Sequence, residues 1–560
     1  MNEPNINEIE ARKEALFQAL QHYGVDRRTF LQRAALLSAA GAVGAKLDTY
    51  RANAQSPEAS PAAPAGPKGG DGTLVVSQPG DPLSFNPNYQ ADDNIFVPGL
   101  NIYNTLVTLD SSYQTIPELA QSWETSEDGL TNTFHMVSGA LWHDGEPVTS
   151  ADVKYTFDQI KSDESATASP FFATVESIDT PDDVTVVLNM SAPSASLIPF
   201  LGWYGTVILP AHIYEGTDWT TNPANQAPVG SGPFKFASYE AGSSIELEAN
   251  TDFWGEGPYI DRLVFSIIPD SNTALQALLN GEVDVLTTNP PLSQVATLQE
   301  TEGIEVIVAP IPSFYYLTMN FDREYTANVD VRRGISMAVN RQQIVDLALG
   351  GYPEVATTFY PESIAWAANT SPEAQVPQYD PEAAAAAFDA AGYPVVDGAR
   401  FKLVFPFFTD APEYPDIATI VAQNLKDVNV DVELVALEIN AWVERTDSGD
   451  FDLGLLGGLW GPDPENLKLR VGTGGGVNSF NYSNPKVDEL LAQGSAVIDQ
   501  TERASIYFEV QEILAQDVPI SPLATVVLFY PHLDTISGLP WDDGIGKVGL
   551  NRFNITRIAQ

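Results

Sequence analysis

The side chains that could carry chemistry in this sequence are histidines and carboxylates, because none of its 560 residues is a cysteine. The absence of cysteine excludes disulfides, thiolate catalysis, cysteine-ligated zinc and a lipidated N-terminal cysteine. The five histidines stand at positions 22, 135, 143, 212 and 532, and no two have the i, i+4 spacing of a zinc-binding helix. We therefore predict no metal site and no cofactor, and we assign His135 and His143 structural or surface roles.

Pairs of carboxylates are the second kind of candidate, because a glycosidase acts through two carboxyl groups about 5 to 10 Å apart. Asp144 with Glu146 and Asp463 with Glu465 are such pairs in sequence, but a chain with 74 acidic residues contains them by chance. No serine nucleophile elbow is present, and the glycine run 472–476 lacks the lysine of a phosphate-binding loop. The prediction is a protein without catalytic residues, with an exported glycosidase as the alternative.

The charge balance restricts the partners of the chain. Lysine and arginine number 27 against 74 acidic residues, so the formal net charge is −47. A surface this acidic repels phosphate backbones and anionic lipid headgroups. We therefore predict no nucleic-acid partner and a soluble protein that remains a monomer.

The N-terminal region has the features of an export signal. Arg27 and Arg28 precede an uncharged run at 34–45, which is shorter than the roughly 20 residues that a membrane span needs. Ala52 and Ala54 provide the small residues that a signal peptidase requires. Together these features resemble a twin-arginine signal peptide.

Export divides the chain into three parts. Residues 1–54 are the predicted twin-arginine signal peptide, and 55–72, rich in proline, alanine and glycine, are a predicted disordered linker. The remainder is predicted to be a periplasmic protein that carries no lipid anchor.

Strand and helix patterns alternate through the rest of the chain, which is typical of an α/β protein. Residues 73–78 have the pattern of a strand, and Thr149 with Asp152 resembles a capping box. The helix predicted after this box has an apolar face, formed by Val153, Phe157 and Ile160. Further helices are predicted to begin at Asp270 or Ser271, at Asp330 and at Asp380.

The clearest alternation lies in the second half of the chain. Strands are predicted at 401–407, 430–437 and 451–456, with helices at 414–427 and 440–447 between them. This order predicts parallel strands joined by right-handed crossovers. Because such sheets bind ligands at the carboxyl ends of their strands, the pattern indicates that 457–464 contributes to a binding site.

Several short motifs occur in the order and spacing of one protein family. They are PELAQSW at 117–123, LWHDGEPVTSADV at 141–153, PVGSGPF at 228–234, NTDFW at 250–254, LLNGEVD at 278–284 and DVRRGI at 330–335. With these motifs the chain resembles the extracytoplasmic solute-binding proteins of family 5, the dipeptide-, oligopeptide- and nickel-binding components of ABC importers. The resemblance extends over nearly all of 73–560.

The resemblance implies a two-lobed α/β periplasmic-binding-protein fold of type II, with a hinge and a ligand cleft between the lobes. Lobe I is expected at 73–315, with an inserted subdomain at about 113–222 and a return at 521–560. Lobe II is expected at 316–520. Most signature residues, such as Trp123, Trp142, Gly145, Gly230 and Gly232, are expected to set turns and packing instead of touching ligand.

Two departures from the family pattern concern the ligand. Peptide-binding members carry an Asp three residues before the first residue of the D-P-x-N step, where it pairs with the peptide ammonium. In this chain the step is DPEN at 463–466, and Trp460 occupies that position. Dipeptide binders also carry an Arg after the first lobe II strand, whereas 405–410 contains none. A conventional dipeptide site is therefore not expected, although Asp463 is an alternative partner for the ammonium.

The predicted ligand contacts are mostly aromatic residues at strand ends and hinge segments, because aromatic rings with polar tips suit partly hydrated pockets. They are Trp460, Asp463, Tyr315, Phe314, Phe408, Asn478 and Phe480. The predicted function is capture of a small solute, with peptide as the first choice, for delivery to an ABC permease and ATPase complex. The alternative solutes are an opine, an oligosaccharide or a metal chelate, and the alternative partner is a chemoreceptor.

Overall fold

The computed structural model describes residues 68–559 apart from 90–92, 204, 410–412, 459 and 543–551. The predicted signal peptide and most of the predicted linker therefore lie outside the described residues. The chain forms two compact units. The central unit is Pro310–Val527, and the flanking unit contains the described residues up to Ala309 and from Leu528 onward.

The chain passes between the two units within two long strands, Ile304–Met319 and Ile520–Leu533. The sequence places the lobe boundaries after residues 315 and 520, and both of those positions lie in the same two strands. The structure divides the units after Ala309 and after Val527.

Two four-stranded sheets form the framework of the flanking unit. Its strands before residue 304 are β1 (Thr73–Gln78), β2 (Val107–Leu109), β3 (Thr115–Pro117), β4 (Ala120–Thr125), β5 (Thr131–Met136), β6 (Val175–Asp182), β7 (Thr185–Met190), β8 (Phe234–Glu240), β9 (Ser244–Ala249) and β10 (Arg262–Ile267). One sheet has the order β1-β10-β9-β8, and β1 is parallel to β10. The other has the order β4-β5-β7-β6, is antiparallel, and lies within the span predicted for the inserted subdomain.

Two capping residues that the sequence indicates, Thr149 and Asp270, directly precede helices of the flanking unit, which has six α-helices among its described residues. These helices are α1 (Asp93–Ile102), α2 (Ser150–Ser162), α3 (Leu197–Leu201), α4 (Ala211–Tyr214), α5 (Ser271–Leu279) and α6 (Leu292–Gln299). The Asp152 carboxylate accepts a hydrogen bond of 2.8 Å from the backbone N–H of Thr149, the reciprocal bond of a capping box. The predicted apolar face of α2 is confirmed, because all three of its residues are fully buried in the core.

The family signature residues of the flanking unit act in turns and packing. Trp142 is buried in the core, and Gly145 has a φ of +97°, which favours glycine. A Cβ on Gly230 would lie 1.9 Å from the backbone oxygen of Ile102, so no other residue fits there. Burial lowers the pKa of His143 to about 4. Its neutral ring accepts from the Gly230 N–H at 3.1 Å, which agrees with the predicted structural role.

The central unit contains the alternating strands and helices of the second half of the chain. Its strands, two of which it shares with the flanking unit, are β11 (Ile304–Met319), β12 (Lys402–Phe408), β13 (Asp431–Leu437), β14 (Leu453–Leu456) and β15 (Ile520–Leu533). The predicted parallel pairing of β12 with β13 is confirmed. The prediction was wrong for β14, which pairs antiparallel with β11 in a sheet of order β14-β11-β15. The partner strand, β11, lies outside the alternating segment at 401–456, so local sequence patterns could not predict this pairing.

Helices cover the strands of the central unit. They are α7 (Val329–Ala338), α8 (Arg341–Leu347), α9 (Pro381–Ala390), α10 (Glu413–Asp427), α11 (Ile439–Asp447), α12 (Leu467–Val471), α13 (Pro485–Ala496) and α14 (Gln500–Asp517). The predicted caps Asp270 and Asp380 are confirmed, since each accepts a backbone hydrogen bond from the first turn of its helix. The cap predicted at Asp330 was wrong, because Asn328 accepts the Asp330 N–H instead. Beyond residue 533, β16 (Ile536–Ser537) and β17 (Arg557–Ile558) form an antiparallel pair in the flanking unit.

Candidate functional site

The carboxyl ends of β12 and β14 meet at one tyrosine in the central unit. Gly457 follows β14, and a Cβ added to it would lie 2.6 Å from the Tyr414 hydroxyl oxygen and 3.7 Å from the Tyr315 ring. Phe408 ends β12, and its ring centroid lies 4.1 Å from that of Tyr414. The first turn of α10 thus brings together two strand ends, which is the location that the parallel alternation predicts for ligand binding.

Trp460 lies in a cluster of aromatic rings. Its indole is fully buried, and its backbone N–H donates to the Pro312 carbonyl at 2.8 Å. The ring centroids of Phe314, Tyr316 and Tyr360 lie 5.4, 5.6 and 6.2 Å away. The guanidinium of Arg470 lies over the indole at 4.8 Å. Within the described part of the chain, the indole Nε1 has no hydrogen-bond acceptor.

Strand alternation separates the predicted aromatic contacts into two groups. Phe314 packs on Trp460, whereas Tyr315 packs on Tyr414 with ring centroids 6.0 Å apart. Consecutive residues of a strand point to opposite faces, so these two groups lie on opposite sides of β11. Phe408 belongs with Tyr315, because both rings contact Tyr414.

Asp463 forms a buried ion pair with Arg503. The two guanidinium nitrogens donate to the two carboxylate oxygens at 2.8 and 2.7 Å, and both side chains are at most 4% exposed. Burial acts to lower the pKa of the Arg503 guanidinium, and the Asp463 carboxylate more than offsets this effect, so the pKa is raised. Asp463 also caps a short 3-10 helix, Pro464–Asn466, by accepting the Glu465 N–H at 3.0 Å. Its contact with a ligand stays a prediction.

Asn478 and Phe480 lie in a loop that is held by its own hydrogen bonds. The Asn478 amide donates to the carbonyls of Gly472 and Tyr482 at 2.9 and 2.7 Å and accepts the Tyr482 N–H at 3.0 Å. The carbonyl of Phe480, which is buried, accepts the Phe321 N–H at 2.8 Å. Among the described contacts, no hydrogen bond joins either residue to Trp460 or Tyr315, so their contact with a ligand also stays a prediction.

Glu413 is a site residue that the sequence analysis missed. It is the first residue of α10 and is only 5% exposed, and the Tyr315 hydroxyl donates to its Oε1 at 3.2 Å. Burial is the main reason why its pKa is raised to about 7. The predicted helix starts one residue later, at Tyr414, and an acidic residue at a helix start normally indicates an exposed first turn. Only the packing of β11 against α10 reveals a buried carboxylate.

Two negative observations apply to the described residues alone. They contain no group of three or more histidine, aspartate or glutamate side chains arranged to hold a metal ion. None of their helices has both the length and the apolarity of a membrane-spanning segment.

Comparison with known proteins agrees with the family resemblance. Residues 114–478 match the model of bacterial extracellular solute-binding proteins, family 5. The chain is 27% identical over 487 residues to the oligopeptide-binding protein AppA of Bacillus subtilis, covering 83% of this chain and 87% of that protein.

Two solved structures extend the comparison to the fold. The ABC transporter substrate-binding protein CtaP of Listeria monocytogenes is 25% identical, with a TM-score of 0.80 over 88% of this chain and all of that one. The binding protein AgaA of A. tumefaciens R10, in complex with agropinic acid, is 26% identical, with a TM-score of 0.69 over 87% of this chain and 99% of that one. The predicted two-lobed α/β periplasmic-binding-protein fold is confirmed. This chain belongs to family 5 of the bacterial extracellular solute-binding proteins.

Proposed function

We propose that the chain is the substrate-binding component of an ABC importer and delivers a small solute to a permease and ATPase complex. The observation that carries this proposal is the family match over 114–478, which includes the segments that form both strand ends at Tyr414. The names of the similar proteins support it, since one is called an oligopeptide-binding protein and another an ABC transporter substrate-binding protein. A chemoreceptor is the alternative partner.

Peptide is the first solute class in this proposal, and an opine is the second. The match to an oligopeptide-binding protein supports the first, and the match to a protein in complex with agropinic acid supports the second. An extended peptide also suits the aromatic residues Phe408 and Tyr315, which offer apolar ring surface, and Tyr315 adds a polar hydroxyl. The absence of an arginine from 405–410 argues against a dipeptide held by its carboxylate.

Binding without turnover is the third element of the proposal. The test is native mass spectrometry of the mature protein, purified gently from an exporting host. A discrete added mass that is lost on unfolding, and that is recovered chemically intact, is the expected result. Recovery of cleaved products would instead support the alternative of an exported glycosidase. Absence of any bound mass, followed by no thermal stabilisation by peptides, opines or oligosaccharides, would contradict solute binding.

Export by the twin-arginine route, with 1–54 as the signal peptide, remains part of the proposal. Replacement of Arg27 and Arg28 by lysine keeps the positive charge but removes the arginine pair that this route recognises. The double variant is expected to remain in the cytoplasm, as measured by fractionation and immunoblotting. Export of the variant at the wild-type level would refute this route.

A further inference from the structure

The Glu413 carboxylate is buried and has no cationic partner. It forms no ion pair within the described chain, and its two hydrogen-bond donors are the Tyr315 hydroxyl and its own backbone N–H. Both donors are neutral: burial first, and the Glu413 carboxylate next, raise the pKa of Tyr315 well above its ordinary value, so the phenol keeps its proton. Buried carboxylates are normally paired with a cation or bound to a metal, and an unpaired one is costly to ionise.

Three aromatic rings in mutual contact adjoin this carboxylate through Tyr315. Tyr315 donates to it, Tyr414 follows it in α10, and Phe408 packs on Tyr414 with ring centroids 4.1 Å apart. All three rings are nearly or fully buried. The faces of aromatic rings are electron-rich and attract cations, and the attraction is strongest where water is excluded. A buried carboxylate that is bonded to Tyr315, the first ring of this cluster, therefore suits a positively charged group.

Glu413 lies beside the carboxyl ends of β12 and β14, where the solute is expected to bind. Gly457, which follows β14, packs against both Tyr414 and Tyr315, and Phe408 ends β12. The carboxyl ends of strands are where ligands of α/β sheets bind. By contrast, the carboxylate predicted from the sequence, Asp463, already has a cationic partner in Arg503.

We propose that Glu413 is a specificity-determining residue of the solute site and selects solutes that carry a protonated nitrogen. The proposal deepens the proposed function and rests on it. The ammonium or guanidinium of the solute binds the Glu413 carboxylate, with the rings of Tyr315 and Phe408 beside it. A neutral analogue of the same shape lacks this charge-assisted hydrogen bond and binds more weakly.

The proposal predicts that solute binding releases a proton at low pH. Burial, and then the nearby Asp416 on the same helix, favour the protonated form of Glu413, and the pKa is about 7. Among the described residues, Tyr315 and Tyr414 are the other titratable groups that interact with it, and both stay protonated because burial raises their pKa values well above the ordinary value. The affinity for a cationic solute therefore falls as pH decreases below about 7, by up to roughly tenfold per pH unit.

The test uses matched pairs of probes that differ in one charge. The pairs are trialanine with N-acetyl-trialanine, lysine with ε-N-acetyl-lysine, and arginine with citrulline. Thermal stabilisation of the full mature chain selects a pair, and isothermal titration at pH 6, 7 and 8 measures its affinities. The expected result is a preference for the charged member that Glu413→Gln reduces by roughly 10- to 100-fold and Glu413→Asp partly retains. Glu382→Gln, which alters an exposed first-turn glutamate of α9, is the matched control and leaves the preference unchanged.

Three outcomes would overturn the inference. They are equal affinity for the two members of every stabilising pair, an unchanged preference in Glu413→Gln, and stabilisation by no charged probe. None of them refutes solute binding itself, which native mass spectrometry of the wild-type chain decides separately. Melting curves of Glu413→Gln without probe confirm that the variant is folded, because the amide has nearly the same shape as the carboxylic acid.

Discussion

Replacing Asp463 by alanine distinguishes a structural role from a ligand-binding role for this residue. The structure shows a bidentate ion pair with Arg503, in which both side chains are at most 4% exposed. Removing one partner leaves a buried guanidinium without a counter-charge, which costs about 3 to 5 kcal/mol. The Glu465 N–H also loses its capping acceptor, which costs about 1 kcal/mol more. We therefore expect the free energy of unfolding of the central unit to fall by about 4 to 6 kcal/mol.

The assay is urea unfolding followed by tryptophan fluorescence, with two comparison variants. In the double variant Asp463→Leu with Arg503→Met, apolar side chains of similar volume replace the pair, so most of the lost stability is expected to return. Asp450→Ala removes an exposed partner of Arg445, at 2.8 Å, and is expected to cost at most about 1 kcal/mol.

A different pattern would refute this reasoning. If Asp463→Ala unfolded within about 1 kcal/mol of the wild type, the ion pair would not be a main source of stability. If the same variant also bound a cationic solute at least tenfold more weakly, Asp463 would be the ligand contact that the sequence predicts. Both quantities are needed, because a destabilised variant can also lose affinity through unfolding.

Three further predictions concern other residues. Glu413→Gln should gain about 3 kcal/mol of unfolding free energy relative to the wild type as pH rises from 4 to 8. The reason is that a glutamate whose pKa is raised from 4.5 to about 7 loses folding stability over that interval, whereas glutamine does not titrate. If urea unfolding at several pH values gave a constant difference between the two proteins, this prediction would be contradicted. Gly230→Ala should lower the melting temperature sharply or prevent folding, because its Cβ would lie 1.9 Å from the Ile102 backbone oxygen. Gly216→Ala is the control: the added methyl group has open space around it, so only the smaller cost of the positive φ is expected. Trp460→Ala should cost about 3 to 5 kcal/mol of unfolding free energy, because it opens a cavity among buried rings; a cost below about 1 kcal/mol would show that this cluster contributes little to stability.

Features that depend on neighbouring residues could be predicted from the sequence. The caps at Asp270 and Asp380 and the apolar face of α2 need only a few adjacent side chains, and all three are confirmed. The alternation of strand and helix also identifies β12 and β13 as a parallel pair. The ordered motifs along the chain were sufficient to recognise the family, because each occupies a fixed place in the fold.

Features that depend on distant residues were decided only by the tertiary structure. Asp463 resembles a free carboxylate in sequence, and its partner Arg503 lies 40 residues away on another helix. Glu413 resembles an exposed helix-start residue, and its burial depends on Tyr315, which lies 98 residues away on β11. The antiparallel pairing of β14 with β11 likewise joins segments that are far apart in the sequence. The charge and hydrogen-bonding state of a side chain depends on which groups surround it, and for these residues those groups come from distant parts of the chain.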